Sequence, residues 1–138
     1  MTRDIVWIDD DYYDIIGPLV RLLQRDGHRI HRMRTVAEAL ASLAVLRSCD
    51  LLILDVLLPT GGAADLDAHD HYTGRTLLRV LKERHGFDRP VIACTVVTNR
   101  DVLAELESLG VTSILNKTET TAARLKQEAD KVFGGIAG

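Results

Sequence analysis

The 138-residue chain lacks several things that would narrow its role. No apolar run approaches the ~20 residues needed to cross a bilayer. Met1 leads through Thr2, Arg3 and Asp4 directly into an apolar stretch, with no signal-peptide pattern. A cytoplasmic protein with no membrane segment is therefore expected. There are 2 cysteines, Cys49 and Cys94, too few for a disulfide framework. Both lie beside or within apolar runs and are expected to be buried, reduced thiols. The formal net charge of -3 excludes the strongly basic surface of a nucleic-acid module. Repeats, low-complexity tracts and linkers are also missing, so residues 1–138 read as one domain without an output domain.

What the chain does have is apolar material, 46% of its residues, arranged in alternating short runs and helical patterns. Ile5–Ile8 is bounded by charge and reads as a buried strand. Ile15, Ile16, Leu19, Val20, Leu22 and Leu23 have helical spacing up to Gly27. Pro18 inside that pattern means either a late helix start or a kink. Arg29–Arg34 reads as a strand with a solvated basic edge. Thr35 and Glu38 form a capping-box signature that opens a helix through Ala39, Leu40, Leu43 and Leu46. Leu51–Leu58 is the most apolar stretch, broken only by Asp55, and reads as the central strand. The segment 61–73 has no period and reads as a loop or insertion. Helical patterns then run from Leu77 to His85, from Val102 to Leu109 and from Ala122 to Phe133, with strands at Val91–Val97 and Val111–Leu115 between them. Five strands alternating with five helices indicate an α/β doubly wound sheet, which binds ligands beyond the carboxyl ends of its strands.

The chemistry-bearing residues lie at those ends. Asp9, Asp10 and Asp11 follow the first strand, Asp55 interrupts the third, Thr95 lies on the fourth and Lys117 follows the fifth. Crowded carboxylates repel and take up protons unless a cation neutralises them. Hard oxygen donors that leave room for water suit Mg²⁺. A lysine beside them suits a phosphoryl group, and a carboxylate can serve as a covalent nucleophile.

With these motifs in order, the chain resembles the CheY-like receiver domains of two-component response regulators. The resemblance rests on Ile-Asp-Asp-Asp at 8–11, Leu-Asp-Val-Leu-Leu-Pro at 54–59, Gly74, Pro-Val-Ile-Ala-Cys-Thr at 90–95 and Lys117. It implies a flavodoxin-like parallel sheet of order 2-1-3-4-5. It implies that Asp55 accepts a phosphoryl group from a histidine kinase or phosphotransfer protein. Asp10 and Asp55 would bind Mg²⁺ directly, Asp9 through water, and the Leu57 backbone carbonyl would complete the protein ligands. Thr95 and Lys117 would hold phosphoryl oxygens. A downstream protein would read the change on the surface of the fourth helix, fifth strand and fifth helix, and a homodimer is a further option. No direct contact with nucleic acid or membrane is implied.

Three departures from the pattern bear on function. Gly74 stands nineteen residues after Asp55, about eleven more than the short loop usual in the family. The excess carries Asp65, Asp67, His69, Asp70 and His71. It reads as a solvated loop, with a metal or partner site as the alternative, and a lid over Asp55 or a kinase-specificity element is the function it suggests. Thr118 replaces the usual cis-proline after Lys117, so a trans bond is expected there. Ile114 replaces an aromatic that reports activation in many relatives, and Val96 replaces a small residue beside Thr95. These departures keep a second reading open, a degenerate receiver acting as an interaction domain independent of phosphorylation. A haloacid-dehalogenase-like phosphohydrolase is a third, but that family places its nucleophile on the first strand.

Overall fold

The computed structural model describes residues 2–11, 14–62 and 70–135. Its strands are β1 (Asp4–Ile8), β2 (Arg29–Met33), β3 (Leu51–Leu54), β4 (Val91–Thr95) and β5 (Ser113–Asn116). All neighbours pair in parallel, in the order β2-β1-β3-β4-β5. The most apolar run is thus the central strand, as its composition requires. A parallel sheet covered on both faces needs strands apolar on both sides.

Strand alternation divides the core. Val6, Ile8, Leu52, Leu54 and Ala93 pack on one face against α2 (Val36–Leu40), α3 (Leu43–Ser48), α4 (Thr73–His85) and α5 (Arg100–Ser108). Ile5, Trp7, Leu51, Ile53, Cys94 and Leu115 pack on the other against α1 (Gly17–Arg25) and α6 (Ala122–Gly134). Each fully buried Leu, Ile or Val contributes on the order of 1.5–3 kcal/mol. Both cysteines are buried and free, and burial pushes their thiols up, to about 11 for Cys49 and about 12 for Cys94.

Two local outcomes refine the sequence reading. Helix α1 starts at Gly17 with Pro18 in its first turn, so the late start holds and not the kink. The second helical pattern is two short helices. Thr35 caps α2 as expected, its hydroxyl accepting from the Glu38 N–H at 3.0 Å. At Ser42 the backbone bonds three residues back, to the Ala39 carbonyl, and the chain restarts as α3. The described residues therefore hold six helices, not five. The apolar spacing runs straight through the break, because both pieces bury the same side.

Candidate functional site

The register of the sheet builds the site. Ile8 pairs with Leu54, so the next residues, Asp9 and Asp55, stand side by side. Backbone bonds continue past the strand ends: the Asp9 N–H donates to the Met33 carbonyl, Asp55 to Ile8 and Lys117 to Thr95, at 3.0, 2.9 and 3.2 Å. Alternation gives Asp9, Asp55 and Lys117 the parity of Trp7, Ile53 and Leu115, so the three share one side of the sheet edge.

Side-chain geometry follows from that placement. The Lys117 Nζ donates to Asp55 Oδ2 at 2.8 Å and to both oxygens of Asp9 at 3.2 and 3.3 Å. Asp9 and Asp55 are each 1% exposed. One carboxylate oxygen from each of Asp9, Asp10 and Asp55 lies within 4.8 Å of the others. Three formal negative charges thus face one ammonium, and the balance suits a divalent cation. Burial, reinforced by the neighbouring Asp55, raises the Asp9 carboxyl to about 6. Lys117 is raised too: burial opposes its charge, but its bonds to Asp55 and Asp9 and their negative charge prevail. The hard oxygen set and a carboxyl that ionises reluctantly in the absence of further positive charge are compatible with a divalent-cation site.

The loop after Asp55 is clamped from behind. A Cβ on Gly74 would lie 2.0 Å from the Asp55 carbonyl oxygen, so only glycine lets α4 approach this closely. The Gly74 N–H donates to the Val56 carbonyl at 2.9 Å. The Thr73 hydroxyl accepts from the Leu58 N–H at 3.1 Å and donates to the Leu58 carbonyl. Within the loop, the Leu57 N–H donates to Asp55 Oδ1 at 3.2 Å. Thr95 is buried, its hydroxyl accepting from the Val97 N–H at 3.3 Å.

Other expected residues take different places. Asp11 lies outside the carboxylate cluster; its carboxylate accepts from the Ile16 N–H at 2.7 Å and shapes the turn into α1. The Lys117–Thr118 bond is trans, as expected. The Thr118 N–H, which a proline would lack, donates to Asn116 Oδ1 at 3.0 Å, and its hydroxyl does so at 2.8 Å. Sequence patterning does not single out Asn116, though an Asn side chain accepting from the backbone two residues on is a recognised turn device. Of the insertion, Asp65, Asp67 and His69 lie outside the described residues. Asp70 tethers the start of α4: its carboxylate accepts from the Tyr72 N–H at 2.9 Å and from the Thr76 hydroxyl. Leu57 and Val96, each 39% exposed, rim the site with apolar surface. No described helix is long and apolar enough to cross a membrane.

This sheet order, helix arrangement and carboxyl-edge cluster define the fold of CheY-like receiver domains. Solved structures with that fold include a response regulator receiver domain protein (CheY-like) from Methanospirillum hungatei, with TM-score 0.71 and 20% identity, covering 97% of this chain and 96% of that one. The chemotaxis response regulator CheY4 of Vibrio cholerae gives 0.73 and 20%, covering 96% and 99%. The signal receiver domain of a signal transduction histidine kinase from Syntrophus aciditrophicus gives 0.74 and 23%, covering 97% and 92%. No protein-family model and no curated protein matches the chain.

Proposed function

We propose that the chain is a phosphoacceptor receiver, taking a phosphoryl group from a histidine kinase or phosphotransfer protein onto Asp55 and signalling by a change of conformation. One observation carries this reading: Lys117 bridges Asp55 and Asp9 while Asp9, Asp10 and Asp55 converge within 4.8 Å. An Asp55 oxygen attacks the phosphorus of phosphohistidine. The O–P bond of an acyl phosphate forms, the P–N bond breaks, and the imidazole nitrogen keeps the electron pair. Lys117, already 2.8 Å from the nucleophilic carboxylate, transfers its contact to a phosphoryl oxygen. The Thr95 hydroxyl donates to another. Asp10 and Asp55 would hold Mg²⁺ directly, with Asp9 through water and the Leu57 carbonyl as a further ligand. When bound, the ion neutralises charge on the phosphoryl oxygens.

The phosphoryl group would bias a two-state equilibrium through its contacts with Thr95 and Lys117. A downstream partner would read the result on the surface of α5, β5 and α6. Turnover of a separate substrate is not part of this role. The second reading, a receiver fold that works without phosphorylation, is favoured by Ile114, which lies partly buried against the core and offers no aromatic to swing.

Trp7 is the only tryptophan and lies two residues before Asp9. Its emission should report titration with Mg²⁺ and then beryllofluoride. Saturable one-to-one binding that is lost in Asp55→Asn supports phosphoacceptance. Absence of binding in the wild type leaves the interaction-domain reading.

A further inference from the structure

A chain of ion pairs outside the site joins the end of the insertion to α5. The Arg75 guanidinium lies 3.2 Å from Glu105 on α5 and 3.6 Å from Asp70. Arg79, one turn further along α4, also pairs with Glu105. The Tyr72 ring lies 5.6 Å from the guanidinium carbon of Arg75. Arg75 is shared incompletely. Its contact with Asp70 is longer than a normal hydrogen bond, and its buried Nε has no hydrogen-bond partner among the described residues. A buried donor left unpaired is unfavourable, so the guanidinium is not fully satisfied in this arrangement.

Both ends of this bridge are attached to the phosphorylation site. Arg75 follows Thr73 and Gly74, which are bonded to Leu58 and Val56 in the acceptor loop. Helix α5 begins five residues after Thr95, and the Asn99 side chain caps it by accepting from the Asp101 and Val102 N–H groups. A phosphoryl group on Asp55 would act on the acceptor loop, and through Thr95 on the start of α5. The pairs of Arg75 and Arg79 with Glu105 span those two segments, and Arg75 alone also reaches Asp70.

We propose that Arg75 is a two-position contact, exchanged between Asp70 at the end of the insertion and Glu105 on α5, through which the state of Asp55 sets the position of α5. This relay rests on the phosphoacceptor reading above. It gives a chain without an aromatic at Ile114 a different route for its signal, with Asp70 as its control point. Arg75, Asp70 and Glu105 are positioning residues and touch no reacting atom. The coupling is carried by packed side chains with two discrete arrangements.

Hydrogen–deuterium exchange of residues 100–108, with Mg²⁺ and with or without beryllofluoride, tests the relay, while ¹⁹F NMR of bound beryllofluoride independently reads loading of Asp55. Loading should change exchange in wild-type α5 by about fivefold. Arg75→Gln and Glu105→Gln should load as the wild type does, yet change α5 by less than about twofold. Arg75→Lys should retain most of the response. Resting protection separates the relay from a merely structural tie. Asp70→Asn commits Arg75 to Glu105 and should raise protection of α5, whereas Arg75→Gln should lower it. If Arg75→Gln fails to fold by circular dichroism, Glu105→Gln carries the test. An undiminished α5 response in a loaded variant overturns the relay, as does a loaded wild type whose α5 does not respond. A wild type that never loads beryllofluoride overturns the phosphoacceptor reading, and the relay with it.

Discussion

Replacing Asp9 by Asn should change how stability depends on pH, in a direction fixed by the burial of that carboxyl. Its ordinary value of 3.8 is raised to about 6 in the folded chain, first by burial and then by Asp55. Between those values the native state binds more protons than the unfolded state, so stability falls as pH rises through the window. A rise from 3.8 to about 6, at about 1.4 kcal/mol per pH unit, sets a ceiling of about 3 kcal/mol. Other groups act with the opposite sign. His28 is lowered from 6.5 by burial, so its stabilisation is full above that value and declines below it. Asp4, Asp70 and Glu128 are also lowered, and theirs is lost only at pH below their ordinary 3.8 to 4.5. The informative quantity is therefore wild type minus Asp9→Asn, from urea unfolding in a chelator at a series of pH values. The wild type should lose about 2–3 kcal/mol relative to the variant between pH 4 and 7. Saturating Mg²⁺ should flatten that difference by holding the ionised form. Parallel curves, or a wild type that gains on the variant as pH rises, would refute the assignment of a strained buried carboxyl.

Gly74→Ala should cost about 2 kcal/mol or more in urea unfolding, because a Cβ 2.0 Å from the Asp55 carbonyl forces α4 off the loop after Asp55; a change under about 0.5 kcal/mol would mean the clamp yields freely. Thr118→Pro removes an N–H that donates to Asn116 Oδ1 at 3.0 Å, so about 1 kcal/mol should be lost; a more stable variant would show that the loop is built for proline. Phosphorylated protein should lose phosphate slowly, because Leu57 and Val97 beside the acceptor offer no polar group to orient an attacking water. A half-life of seconds in Mg²⁺ would contradict that.

The sheet and the acidic half of the site were legible because buried parallel strands demand continuous apolar runs, and charge can enter only where they end. Asp9, Asp55 and Lys117 mark such ends, and the strand register alone then brings them together. The division of the second helix at Ser42 was hidden, since apolar spacing reports which side is buried and is silent about backbone continuity. The roles of Asp11, Asp70 and Asn116 were hidden for another reason. Each carboxylate or amide serves a nearby backbone N–H, and an acidic residue in a loop looks the same whether it caps a turn or binds a metal. The Arg75–Glu105 contact is thirty residues apart in sequence and depends on how α4 and α5 pack, which no local pattern encodes.

Phosphorylation of Asp55 is tested most directly by intact mass measurement after incubation with acetyl phosphate and Mg²⁺. One added phosphoryl group per chain is expected, labile to hydroxylamine as an acyl phosphate, mapped to Asp55, and abolished by Asp55→Asn or by chelating the metal. An unchanged mass in the wild type, or an addition that persists in Asp55→Asn, would contradict it.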